Sequence, residues 1–127
     1  MSDTVIEETH IVLDSLTDLL NATFNRTDQF LGLTIWKDSA GYTIAPHCDR
    51  KIIDMAMQIY LSESDVDLAT KFEYRGKLLG PKYRKNSGYL QDNSIGVNHF
   101  LHTPVPEAHV RYSLYAIWST GQHTTDA

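Results

Sequence analysis

The hydrophobic positions divide the chain into two textures. In the first, Ile6, Leu13, Leu16, Leu20 and Phe24 recur at the three- and four-residue steps that gather side chains on one helix face, and Thr4-Val5-Ile6-Glu7 has the residue types of a capping box at its start. A second division of the same stretch gives a short strand at 10–13 and opens the helix at Asp14 or Ser15. In both, 21–28 is the helix exit, and the whole segment is packing material with no chemistry of its own. From Gln29 the texture becomes apolar and β-branched in short runs. Strands are predicted at 29–37, 42–49, 52–61, 71–74, 88–91, 97–102 and 110–118. A turn falls at Asp38-Ser39-Ala40-Gly41, an acidic loop at 62–67, and a glycine- and lysine-containing mobile loop at 76–87.

One helix followed by a run of short strands with turn signals at close intervals predicts a mainly β sandwich or barrel and argues against a parallel α/β fold. The expected organisation is a single domain over 1–127: a helical N-terminal segment (1–28), a β core (29–118) and a polar tail (119–127). The length of 127 residues suits one domain. The net charge of −5 comes without a basic block and speaks against phosphate-backbone binding, so no nucleic-acid partner is expected. A single cysteine excludes an internal disulfide and fits a reducing compartment. No run approaches a membrane span and the start is no signal peptide, so the expectation is a soluble, cytoplasmic protein without a membrane partner.

The chemistry lies in the β half. His47 and Asp49 are two apart in a predicted strand and share a face, while Cys48 points away and is expected to be a small buried apolar residue. About fifty positions further on come His99 and His102. These two differ by an odd step, so on a regular strand only one of them joins the first pair. Two imidazoles and a carboxylate with the opposite positions open suit non-haem Fe(II); a catalytic zinc is the rival assignment. Arg111 and Ser113 share a face in an apolar strand. A buried guanidinium needs an anionic partner, and its fork with a neighbouring hydroxyl suits a carboxylate. His109 is expected to be solvated, and His10 and His123 to carry no function.

Taken together, Gly41-Tyr42-x-Ile44-x-Pro46-His47-x-Asp49, Gln58-Ile59-Tyr60-Leu61, Asn86-Ser87-Gly88-Tyr89, His99, Pro104-Val105 and Arg111-Tyr112-Ser113-Leu114 resemble the 2-oxoglutarate- and Fe(II)-dependent oxygenases, nearest to their prolyl-hydroxylase-like branch. The resemblance runs from about residue 29 to 118. It implies a double-stranded β-helix (jelly-roll) with the metal at its mouth. It further implies a dioxygenase that hydroxylates its substrate and releases succinate and CO2, with Fe(II) as cofactor and 2-oxoglutarate as cosubstrate. Carried over residue by residue, His47, Asp49 and a distal histidine hold the iron. The family spacing fits His99 best, with His102 as the alternative. Arg111 and Ser113 would take the distal carboxylate of 2-oxoglutarate, assisted by Tyr60.

The sequence departs from the family pattern in three places: few residues precede His47, Ala69-Thr70 stands where Gly-Thr is common, and the step from His99 to Arg111 is slightly long. The short N-terminal stretch raises the expectation of a homodimer in which a second chain completes the site. A cupin-like metal-binding jelly-roll without turnover is the alternative function, although cupins usually carry a histidine where Asp49 stands. A zinc hydrolase would leave Arg111-x-Ser113 without a role. The sequence does not reveal the substrate; a small molecule or peptide is expected. The basic residues Arg75, Lys77, Lys82, Arg84 and Lys85 are expected near the site mouth, as a solvated charge run rather than a substrate-steering patch.

Overall fold

The apolar stripe of the N-terminal segment is used against a sheet. In the computed structural model, which describes residues 3–48, 52–93 and 97–121, helix α1 spans Asp3–Phe24, so residues 10–13 continue the helix and the strand alternative falls. Leu20 and Leu16 pack on Met55, Ala116 and Trp118, and Leu13 is buried as well. Trp118 donates its indole N–H to Thr17 Oγ1 at 2.8 Å, which satisfies the ring's polar atom at the helix–sheet seam. Phe24 departs from the expected stripe and is exposed. The helix ends there: Asn25 takes φ 52° and the Arg26 N–H returns to the Asn21 carbonyl at 2.9 Å, a left-handed termination that turns the chain away. The side chains of Thr4, Ile6, Glu7 and His10 lie outside the described residues, as do Asp49 and the tail beyond Gly121 with His123.

The strands are β1 (Gln29–Asp38), β2 (Ile44–His47), β3 (Met55–Tyr60), β4 (Lys71–Tyr74), β5 (Lys77–Leu79), β6 (Gly88–Asp92), β7 (Asn98–Leu101) and β8 (Arg111–Ser119). They form two four-stranded sheets, in the orders β1-β8-β3-β6 and β2-β7-β4-β5. Every registered pairing is antiparallel. The protein is therefore mainly β, a sandwich of two antiparallel sheets with one helix on its outside. Among the described residues no helix is long and apolar enough to cross a membrane.

Period-two alternation gives the first sheet two different faces. Met55, Ala116 and Trp118 point outward under α1. Ala56, Gln58 and Tyr60, with Ser113 opposite Tyr60 and Gln91 opposite Ala56, occupy the alternate positions and point between the sheets. Because β3 and β8 are central and covered on both sides, their sequences are nearly continuous in apolar residues. One expectation fails locally: residues 76–87 are not all loop. Arg75 and Gly76 both take positive φ (51° and 76°), which makes a two-residue hairpin turn whose twist suits flanking strands, and Tyr74 pairs with Lys77 across it.

Candidate active site

The β2–β7 pairing places two of the predicted ligands side by side. His47 is the cross-strand partner of His99, and their ring centroids are 4.2 Å apart. His99 is buried and also lies 5.8 Å from the ring of Phe72, its partner on β4. The Nδ1 of His47 lies 2.9 Å from the Ala45 carbonyl. A carbonyl only accepts, so Nδ1 is the donor in this contact. Fixing one ring nitrogen on a backbone carbonyl is the usual way a metal-binding imidazole is oriented. Two adjacent imidazoles fit a divalent metal of borderline softness. Among the described residues no group of three or more His, Cys, Asp or Glu side chains comes together as a metal cage. Asp49, the expected third member with these histidines, lies outside the described residues.

Both histidines line a cavity of about 360 Å³ between the sheets, together with Trp36, Asp38, Gln58, Thr70, Tyr89 and Arg111. Arg111 is 1% exposed, and its surroundings are built for it. Nε donates to the Leu68 carbonyl at 2.8 Å, Nη1 to Asp38 Oδ2 at 2.7 Å and Nη2 to Thr70 Oγ1 at 3.0 Å, while the Tyr60 ring lies 5.3 Å below the guanidinium carbon. Thr70 Oγ1 passes its own proton to Gln58 Oε1 (2.8 Å), and Gln58 Nε2 donates to Ser113 Oγ (3.0 Å). Three of the guanidinium donors and both ends of the Gln58 amide are engaged, and such a connected buried polar network is rigid. Of the five N–H groups of the guanidinium, two remain without a partner among the described residues. At the rim, burial followed by the Asp38 charge pushes the Tyr42 phenol up, with Arg111 pulling the other way.

The anionic partner that the buried arginine requires is thus Asp38, which the sequence pattern places in a turn. The available signal was register: Asp38 ends β1 directly opposite Arg111. Tyr60 and Ser113 are fully buried behind the cavity wall. The Tyr60 hydroxyl accepts the Thr70 backbone N–H at 2.7 Å, and Ser113 holds Gln58. Cys48 is a correction: it is exposed, with its thiol 3.1 Å from Asn98 Oδ1, because it follows β2 at the rim rather than sitting inside a strand. His109 is also corrected. It is half-buried, its Nε2 3.0 Å from the Tyr83 hydroxyl. His102 is exposed, beyond the end of β7, stacked on Phe100. None of Arg75, Lys77, Lys82, Arg84 and Lys85 lines the histidine cavity. Gly88 has a structural reason: a Cβ there would meet the Gln58 carbonyl oxygen at 1.9 Å, so only glycine lets β6 lie this close to β3.

No protein-family model matches the chain, and no curated protein matches it. Among solved structures, it is similar to the crystal structure of an oxidoreductase of the 2OG-Fe(II) oxygenase family from Burkholderia pseudomallei, with a TM-score of 0.66 at 16% identity. The match covers 85% of this chain and 53% of that one, so the chain spans about half the length of its structural neighbour. At that identity the likeness shows a shared fold.

Proposed function

We propose that this chain is a double-stranded β-helix acting as an Fe(II)- and 2-oxoglutarate-dependent dioxygenase, of the prolyl-hydroxylase-like kind, on a small-molecule or peptide substrate. One observation carries the reading. His47, His99 and Arg111, chosen from sequence and far apart along the chain, line one cavity. The strand orders β1-β8-β3-β6 and β2-β7-β4-β5, in which successive strands mostly alternate between sheets, support the jelly-roll reading. The similarity to an oxygenase-family structure supports the same reading.

In this reading His47 and His99, with Asp49, hold the metal. Bound Fe(II) and 2-oxoglutarate would supply oxidation of a substrate C–H bond coupled to release of succinate and CO2. The chain's own work is positional. Arg111 offers its two remaining N–H groups to the distal carboxylate, Tyr60 and Ser113 brace the wall behind it, and Trp36 and Tyr42 form the walls that limit water.

The test is anaerobic titration with Fe(II) and 2-oxoglutarate. The expected result is a weak visible charge-transfer band, lost in His47→Ala and His99→Ala and kept in His102→Ala. Succinate release should follow on admitting oxygen. Loss of the band in His102→Ala with His99→Ala unaffected would transfer the distal role to His102, and no band in the unmodified chain would overturn the reading.

The Asp38 carboxylate on Arg111 favours a second reading, a metal-binding jelly-roll of the cupin sort without turnover, because the anchor is already shared with an internal anion. The two separate on Asp38→Asn. If cosubstrate and Asp38 compete for one guanidinium, removing the like charge tightens 2-oxoglutarate binding roughly tenfold, whereas Arg111→Ala weakens it about a hundredfold. Calorimetry showing no 2-oxoglutarate binding in either the unmodified chain or Asp38→Asn would favour the non-enzymatic reading.

A further inference from the structure

The histidine cavity carries a negative charge that neither a metal nor 2-oxoglutarate would use. Trp36 and Asp38 stand two apart on β1, opposite Ser113 and Arg111, so both point between the sheets. They line the cavity together with Tyr42. Depth separates them: Asp38 is 6% exposed, whereas Trp36 and Tyr42 are 49% and 39% exposed. A carboxylate therefore lies at the floor and two half-open aromatic rings at the rim. Arg111 engages Asp38 through Oδ2. The other oxygen, Oδ1, is left to the cavity that Asp38 lines and is not among the side-chain atoms sealed from solvent without a partner. After burial, the Asp38 charge is the next cause that pushes the Tyr42 phenol up, so the field of the carboxylate reaches the rim. No lysine lines the cavity, and its one arginine is 1% exposed.

We propose that the substrate carries an alkylammonium group, borne by a small molecule or by a lysine side chain of a peptide, which donates to Asp38 and lies against Trp36 and Tyr42. The carboxylate supplies a charge-assisted hydrogen bond, and the ring faces attract the same cation. A hydroxyl of equal size would make the hydrogen bond without the charge. The shared guanidinium adds a second consequence, which rests on the oxygenase reading. A 2-oxoglutarate carboxylate on Arg111 sets two carboxylates on one cation, and their like charges oppose each other. An ammonium on Asp38 offsets that surplus by binding, as Asp38→Asn does by substitution. Substrate and cosubstrate therefore tighten each other, by the same factor in both directions.

The experiment titrates the ¹⁵N-labelled full chain, without metal or 2-oxoglutarate, with pentylammonium and separately with 1-pentanol, its neutral counterpart of similar size. Pentylammonium is expected to give saturable shifts at the Trp36 indole N–H and at Tyr42, and to bind at least about tenfold more tightly than the alcohol. In Asp38→Asn that preference disappears. A blocked Gly-Lys-Gly peptide against its norleucine counterpart separates the two sources: a lysine preference as large as that for the free amine assigns a peptide, and its absence assigns a small molecule. Equal binding of ammonium and alcohol, or a preference that survives Asp38→Asn, would overturn the proposal. Should Asp38→Asn fail to fold, Trp36→Leu at the half-exposed rim decides through the Tyr42 shifts, and an ammonium preference left unchanged there counts against the subsite. Repeated with Zn(II) and saturating 2-oxoglutarate, the pentylammonium affinity should rise at least about threefold; 2-oxoglutarate that binds without this rise overturns the coupling. An ammonium preference in a chain that binds no 2-oxoglutarate would keep the subsite and sink the oxygenase reading, whereas 2-oxoglutarate binding without an ammonium preference would do the reverse.

Discussion

Gln58 and Gln91 are the same residue on the same face of the same sheet, one strand apart, and the structure treats them oppositely. Gln58 gives its amide proton to Ser113 and takes one from Thr70, and through Thr70 it is tied to Arg111 and Asp38. Among the described residues Gln91 has no partner at either atom. The difference comes from what the sequence puts around each: hydroxyls at 70 and 113 in one case, Ala56 and Ile117 in the other. A buried amide without partners costs about 1–3 kcal/mol, whereas a satisfied one is a modest net gain. One end of the space between the sheets is therefore a finished polar lattice that holds a guanidinium in place. The other holds a sealed amide without partners among the described residues.

The largest expected effect comes from breaking the finished end. Arg111→Met removes the cation and leaves the Asp38 carboxylate buried opposite nothing that neutralises it. Removing one partner of a buried ion pair typically lowers stability by about 3–5 kcal/mol. Urea denaturation should show that loss, and the double variant Asp38→Asn with Arg111→Met should restore at least half of it. If single and double variants unfold together, the network is not coupled and its contrast with Gln91 loses its basis.

A pair of leucine substitutions sharpens the comparison by sign. Gln58→Leu leaves Thr70 and Ser113 without the partner they share and should destabilise by about 1–3 kcal/mol. Gln91→Leu keeps similar volume, removes two orphaned atoms and should stabilise by about 1–2 kcal/mol. Opposite signs in the same denaturant series support the contrast; equal signs refute it.

Much of this arrangement was legible in the sequence, for identifiable reasons. Period-two alternation and turn residues located most of the strands, and α1 followed from the spacing of Leu13, Leu16 and Leu20. Residue types, spacing and family resemblance single out His47 and His99, and the β2–β7 register adds that they are neighbours, while Asp49 lies outside the described residues. Two features depended on what lies across the sheet, which a local reading does not contain. Asp38 read as a turn residue because its partner is far away on β8. Gln91 read as an ordinary strand residue because the apolarity of Ala56 and Ile117 becomes adjacent only on folding. Cys48 and the hairpin at Arg75-Gly76 failed for a local reason: a strand end and a two-residue turn each lie within one or two positions of the boundary that periodicity sets.

The smallest expected effect concerns the support of the finished end. Asp67 lies just before Leu68-Ala69-Thr70, the segment that presents a carbonyl and a hydroxyl to Arg111. Its carboxylate takes the backbone N–H of Ala69 (3.2 Å) and of Tyr83 (3.3 Å) and meets Lys71 Nζ at 2.6 Å. Burial alone would push this carboxyl up, but the Lys71 hydrogen bond, the backbone donors and the Lys71 charge together hold it below the usual range. A carboxyl depressed in the folded state stabilises the fold above its unfolded pKa, and that contribution is lost as pH falls through the folded value. The acid side of the stability profile should therefore carry a contribution that Asp67→Asn removes. The Asp67 side chain is 52% exposed, so the effect should stay under about 1 kcal/mol, the range of solvent-screened ion pairs. Thermal melts across the acid range would register it as a shallower decline in the variant. Identical slopes would mean that the segment presenting Leu68 and Thr70 is held by packing alone, and that the rigidity of the Arg111 end owes nothing to Asp67.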